Sequence, residues 1–180
     1  MLADCPIEVV GLDAYPDVVP AEEDGTTFAE NARKKALAVA SQTGELALAD
    51  DSGLCVAALN DRPGVYSARY AGENASDAAN NALLLREMAA VADGQRQAAY
   101  FCVMALCTPQ GECQLFEGRL DGEILRHEVG SGGFGYDPLF RVCGDERSVA
   151  QISLEEKNRF SHRARALRQV IEVLKGKFVA

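Results

Sequence analysis

None of the six cysteines, Cys5, Cys55, Cys102, Cys107, Cys113 and Cys143, belongs to a C-x-x-C pair. That leaves a structural zinc site or a thioredoxin-like motif without support. No apolar run approaches the roughly 20 residues needed to cross a bilayer, so no membrane partner is expected. Met1 to Pro6 holds no basic segment followed by an apolar stretch, and no secretory leader is expected either. No internal repeat, low-complexity tract or linker stands out. Positive charge is scarce: 18 Lys and Arg against 27 Asp and Glu leave a net charge of -9. Such a surface repels a polyphosphate chain, which argues against nucleic acid polymers as partners. A small anionic substrate is still compatible, because a few local cations outweigh the screened global field inside a cleft. All six cysteines are expected to be free thiols, mostly buried, in a reducing, cytoplasmic setting.

What is present is ordinary globular usage. The 180 residues, 48% hydrophobic and 25% charged, suit one domain with a substantial core. Ile7 to Leu12 reads as a strand. Thr27-Phe28-Ala29-Glu30 is a capping box that should open a helix ending near Gly44. Glu45 to Asp50 and Leu54 to Leu59 read as two further strands, and Asn60 to Gly64 as a turn. Ser76 can cap a helix whose stripe includes Leu84, Met88 and Val91. Ala98 to Cys107 is apolar on both faces, which suggests a strand covered on both sides. Thr108 to Gly111 then turns the chain into strands near Cys113 to Phe116 and Gly122 to Glu128. The last helix carries Leu167, Val170, Ile171 and Leu174 on one stripe, with Ser161 as its expected cap. Interspersed strands and helices predict an α/β fold, a mixed twisted sheet flanked by helices.

Several segments break this plain pattern. Leu46 to Gly53 reads as an apolar strand ending in Asp50, Asp51, Ser52 and a glycine. Carboxylates at the carboxyl edge of a sheet can hold Mg²⁺, which takes oxygen ligands shared with phosphates. The equally available alternative is a polar turn after a buried strand. Successive strand residues face opposite ways, so only one of Asp50 and Asp51 should face a given cleft. Lys35 falls within the apolar stripe of the first helix (Phe28, Ala32, Ala36, Val39), with Asn31 on its border. A lysine there either snorkels to the rim or meets an anion. Glu22, Glu23 and Asp24 precede that helix, where acids complement its dipole or supply a second metal carboxylate. The loop Gly130 to Pro138 carries four glycines, which let backbone approach a ligand. It also carries Phe134 and Tyr136, whose rings can stack on a planar base. Arg163 lies in the first turn of the last helix, where a cation opposes the dipole and so calls for a reason. His162 taken alone reads as structural.

In order along the chain, these segments are Thr27-Phe28-x-Glu30-Asn31-Ala32, Ala49-Asp50-Asp51-Ser52-Gly53-Leu54 and Pro63-Gly64-Val65-Tyr66-Ser67-Ala68-Arg69-Tyr70. Gly132-Gly133-Phe134-Gly135-Tyr136-Asp137-Pro138 follows, then Glu156-Lys157-Asn158 through Ser161-His162-Arg163. The set resembles the inosine/xanthosine triphosphate pyrophosphatase family over nearly the whole chain. The resemblance implies a homodimer, an elongated mixed sheet in two lobes and an active site in the cleft between them. It implies Mg²⁺-dependent hydrolysis of dITP, ITP or XTP to the monophosphate and pyrophosphate. It makes Asp51 the catalytic carboxylate and a metal ligand, with Glu22 or Glu23 as the second acid at the metal. Ser52, Lys35 and Lys157 match substrate-contacting positions, and Phe134, Gly135, Tyr136, Asp137, His162 and Arg163 match the base and sugar pocket.

One departure accompanies the resemblance. The family's first strand, its Ser/Thr-x-Asn-x-x-Lys phosphate loop and most of its first helix have no match, and Met1 to Asp4 resembles the end of that helix. Weak or absent activity of the 180 residues as written is therefore expected, with a misplaced start codon or a shortened chain as the explanation. A purine-nucleotide-binding protein without turnover, or an inactive fragment, is the alternative expectation.

Overall fold

The computed structural model describes residues 7–178. Its elements follow in the order α1 (Phe28–Thr43), β1 (Ala47–Val56), α2 (Asp77–Glu87), β2 (Gln97–Cys107), β3 (Cys113–Ile124), β4 (Phe140–Val142), α3 (Leu154–Phe160) and α4 (His162–Phe178). The strands form one sheet in the order β1-β2-β3-β4. A tight turn joins β2 to β3, and β4 runs antiparallel to β3 with Gly122 opposite Val142 and Ile124 opposite Phe140. The α/β class is the expected one. The chain divides into two compact units. One takes in Met1–Asp51, Cys102–Gly118 and Arg163–Ala180, the other Ser52–Phe101 and Arg119–His162.

In the first unit, α1 begins where the capping box places it. Thr27 Oγ1 accepts from the Glu30 amide at 3.1 Å, and Glu30 Oε2 accepts from the Thr27 amide at 3.2 Å. The reciprocal pair satisfies two of the N–H groups that a helix start leaves open. Gly44 ends the helix in the left-handed region, its N–H on the Ala40 carbonyl. Ala32, Ala36 and Ala40, one turn apart, are fully buried against Val103, Ala105 and Cys107. The opposite face of β2 puts Cys102, Met104 and Leu106 against Ala166, Val170 and Leu174 of α4. Alternate side chains of one strand thus serve two helices, as its two apolar faces require.

In the second unit, Leu54, Val56, Leu84, Met88, Tyr100, Ile124 and Phe140 share a core. Ser76 caps α2 through the Ala79 amide. The turn after β1 places Asn60 and Asp61 in the left-handed region ahead of a cis Arg62–Pro63 bond. Arg96 is buried, and its guanidinium donates to the carbonyls of Ile124 at 2.7 Å, Met88 at 2.8 Å, Leu125 at 3.0 Å and Val91 at 3.2 Å. Four backbone acceptors stand in for the water that this cation gives up.

Four sequence expectations need correction. Residues 7–11 form no strand, and Val9, Val10 and Leu12 are exposed, with Leu12 opening a 3-10 turn. An apolar run becomes a strand only where a neighbour completes its ladder. Glu45 to Asp50 and Leu54 to Leu59 are not two strands. β1 runs unbroken through Asp50, Asp51, Ser52 and Gly53, so the carboxylates sit mid-strand and not beyond a strand end. Likewise β3 is continuous from Cys113 to Ile124 and stops short of Glu128. Finally, Cys107 and Cys113 are joined in a disulfide across the β2–β3 hairpin, with Cα atoms 4.2 Å apart. The turn sets them opposite one another, a closeness that a search for C-x-x-C spacing misses. Cys55, Cys102 and Cys143 are free thiols as expected. Cys5 and the helix end expected at Met1 to Asp4 lie outside the described residues. Among the described residues, no helix is long and apolar enough to cross a membrane.

Candidate active site

The continuous strand β1 aims its two aspartates at different helices. Asp51 faces α1: its Oδ2 accepts from Asn31 Nδ2 at 3.1 Å, and its Oδ1 lies 3.3 Å from Lys35 Nζ. Asp50 faces α4, where its Oδ2 accepts from Arg163 Nε at 3.0 Å. The period of two thus separates the pair as the sequence implies. The Asp50 carboxylate supplies a reason for a cation in the first turn of α4.

Lys35 does not snorkel away. Its Nζ lies 3.3 Å from both Glu23 Oε1 and Asp51 Oδ1. Asn31 locks this arrangement, because its Oδ1 also accepts from the Gly25 amide at 2.8 Å. A Cβ on Gly25 would meet that oxygen at 2.4 Å, so only glycine lets the acidic segment lie this close to α1. Asp24 pairs with Lys34. Glu22 acts on Lys34 electrostatically. Of the two candidate acids, Glu23 therefore shares a cation with Asp51. Asp51 is only 8% exposed, and burial raises its pKa against the opposing pull of Asn31 and Lys35.

The donor set fits a hard divalent cation. Glu23 and Asp51 already hold one positive charge between two carboxylates, and no larger cluster of His, Cys, Asp and Glu suited to a metal occurs among the described residues. A small hard ion held by one or two carboxylates completes its shell with water and phosphate oxygens.

The second unit carries the remaining sequence-predicted residues. Lys157 Nζ donates to Asp137 Oδ2 at 2.5 Å, both side chains being buried. The same oxygen accepts from the Phe134 amide at 3.0 Å, and Tyr100 Oη donates to Asp137 Oδ1 at 3.4 Å. Asp137 is thus the keystone of the glycine loop. Gly133, at φ +74°, makes room for it: a Cβ there would meet Asp137 Oδ2 at 2.2 Å. Lys157 Nζ also sits 4.4 Å above the Phe134 ring. The two loop aromatics differ. Phe134 is 58% exposed, whereas Tyr136 is 4% exposed in the core, its hydroxyl donating to the Ser67 carbonyl at 2.8 Å. The ring open for stacking is that of Phe134. His162 is buried and stacks on Tyr100 with centroids 4.9 Å apart. Ser52 follows Asp51 in β1 and is half-buried.

A buried carboxylate against a lysine, and a glycine loop presenting an aromatic ring, are features suited to phosphate chemistry and to a planar base. The Ham1 family model matches residues 1–173. The chain belongs to the Ham1 family. It is 49% identical over 179 residues to the dITP/XTP pyrophosphatase of Desulforamulus reducens, covering 99% of this chain and 89% of that one. It is 55% identical over 162 residues to the dITP/XTP pyrophosphatase of Geobacter sulfurreducens, covering 90% and 81%. A solved HAM1 protein from Coxiella burnetii superposes with a TM-score of 0.91 at 44% identity, covering 97% of this chain and 89% of that one.

Some residues that hold these side chains in place were hidden in the sequence. Asn31 was visible only as a polar residue at the border of an apolar stripe. Asp50 was read beside Asp51 without its partner, 113 residues away. Two adjacent asparagines inside α2, Asn80 and Asn81, are both buried. Asparagine is a poor helix former, and an adjacent pair inside a helical stretch was the available signal.

Proposed function

We propose that this chain hydrolyses dITP, XTP and ITP between the α- and β-phosphates, releasing the nucleoside monophosphate and pyrophosphate, with Mg²⁺ as cofactor. The 180 residues act as one pyrophosphatase domain, cytoplasmic and homodimeric as the family resemblance implies. The observation that carries the reading is the buried Asp51, sharing Lys35 with Glu23.

Water must attack the α-phosphorus while negative charge builds on the departing pyrophosphate. Asp51 Oδ1 and Oδ2 face α1, and its burial raises the carboxylate's affinity for a proton. That suits it to orient a water and accept its proton. Asn31 fixes the carboxylate's rotation. Glu23 and Asp51 would hold Mg²⁺, which when bound neutralises phosphate charge. Lys35, Lys157 and Ser52 meet phosphate oxygens. Phe134 stacks on the purine, Gly135 and Tyr136 carry the loop that presents it, and His162 and Arg163 complete the base and sugar contacts. Asp137 holds Lys157 and the loop in place.

Selectivity has a physical basis. Hypoxanthine and xanthine present a 6-oxo acceptor where adenine presents an amino donor. Arg163, steadied through Nε by Asp50, pairs with the oxo group and leaves an adenine mismatched, a costly error in a buried site.

Incubation with dITP and Mg²⁺, followed by separate assays of pyrophosphate and free phosphate, tests the reading. Pyrophosphate should appear with dIMP, and Asp51→Asn should lower kcat by about 100-fold or more. Stepwise release of free phosphate would refute attack at the α-phosphorus. Binding of dIMP without turnover would make the protein a nucleotide binder.

A further inference from the structure

The first turns of α2 grip the glycine loop at one residue. Asp77 Oδ2 accepts from the Gly135 amide at 2.6 Å. Asn81 Nδ2 donates to the Gly135 carbonyl at 3.2 Å and to Glu128 Oε1 at 3.0 Å. The two peptide bonds that flank Gly135 are therefore each tied to α2, across 58 and 54 residues of sequence. Gly135 stands between the exposed Phe134 and the buried Tyr136, with φ +60°.

Asn81 holds its place at a cost. It is 3% exposed, and its Oδ1 is buried without a hydrogen-bond partner among the described residues. Turning the amide over would not help, because both groups facing Nδ2 are acceptors. A buried oxygen left unsatisfied beside a poor helix former is tolerated only where the rest of the side chain is needed. Asn80, its neighbour, accepts from the Ala71 amide at 2.8 Å and donates to the Ala68 carbonyl at 3.1 Å. The segment that it steadies includes Ser67, whose carbonyl receives the Tyr136 hydroxyl.

We infer that Asp77 and Asn81 are positioning residues of the purine site, fixing the backbone at Gly135 so that Phe134 is presented at one height and angle to the base. Because Asp77 occupies the Gly135 N–H, that amide holds the loop and does not read the base. The inference rests on the proposed purine triphosphate reading for its kinetic consequence, but the tether itself is measurable without substrate. Uniform substrate binding should suffer, since stacking is made with substrate and transition state alike.

Asp77 is exposed, so Asp77→Ala should fold normally. Asp77→Ala and Asn81→Ala are each expected to raise KM for dITP about 10-fold with kcat within threefold of the parent. Asp77→Asn, which keeps an acceptor, should restore most of the loss. The two alanine effects should combine to less than their product, because they act on one residue. Amide hydrogen exchange at Gly135, measured without nucleotide, should quicken at least tenfold in Asp77→Ala. Unchanged exchange at Gly135 overturns the inference, as does an unchanged KM with only a lowered melting temperature. If the parent chain fails to turn over dITP, the functional reading fails, and the exchange rate still decides whether the tether exists.

Discussion

Replacing Lys157 by methionine removes one member of a buried ion pair and leaves the other behind. The separation is 2.5 Å, which at an effective dielectric of about 20 corresponds to an attraction on the order of 7 kcal/mol. Dehydrating the two ions costs several kcal/mol each, so the pair itself contributes little net stability. The asymmetry decides the outcome. In Lys157→Met, Asp137 keeps the Phe134 amide and the Tyr100 hydroxyl but loses the Lys157 ammonium, while staying 2% exposed. Stranding a buried charge costs about 3–5 kcal/mol. Loss of the cation above the Phe134 ring adds about 0.5 kcal/mol. For a chain of this length each kcal/mol moves Tm by about 2–4 °C, so a drop of roughly 7–22 °C is expected. Asp137→Asn in the same background removes the stranded charge and keeps an acceptor for the Phe134 amide, and should recover more than half of the loss. Thermal denaturation of the parent, both single variants and the double variant gives the full cycle. A Tm drop under 2 °C for Lys157→Met, or a double variant as unstable as the sum of the singles, would refute the reasoning.

Thr27→Ala removes the capping hydroxyl and should cost about 1 kcal/mol, read as a lower urea midpoint at unchanged m. Gly133→Ala forces an L side chain to φ +74° against Asp137 Oδ2 and should cost about 1–2 kcal/mol or more, with dITP turnover falling alongside Tm. Asp145 is held at about 2 by its hydrogen bonds to Arg147, below its ordinary 3.8. The folded state thus favours the charged carboxylate. Its stabilisation is complete above the ordinary value and fades as pH falls through the folded one. The Tm gap between parent and Asp145→Asn should therefore be present at pH 6 and close by pH 2. A gap that widens on acidification would show the sign to be wrong.

The limits of α1, the cap of α2 and the two-sided burial of β2 were legible along the chain. Each rests on hydrogen bonds or apolar repeats within a few residues, which a linear reading can trace. The ordered segments from Thr27 to Arg163 pointed to the family through type and sequence order alone. The same local reading split β1 at its aspartates, because polar residues in a row resemble a turn until the neighbouring strand is known. It also placed Tyr136 beside Phe134 as a second stacking ring, although the fold draws Tyr136 into the core. Nothing along the chain marked Arg96 as a buried cation capped by carbonyls from the end of α2 and from residues 28 and 29 positions on.

Residue order thus decided where the helices start and stop, which strand is buried on both faces, and which chemistry the chain carries, since all of these depend on short-range bonding and on composition. Folding alone decided that Asp51 turns to Lys35 while Asp50 turns to Arg163, that Glu23 joins Asp51 at one cation, and that α2 ties down Gly135. Those pairings join residues from 12 to 113 positions apart, as with Glu23 and Lys35 at one end and Asp50 and Arg163 at the other. A hydrogen bond reaches about 3 Å, so which distant groups meet is settled only when the sheet and its helices have packed.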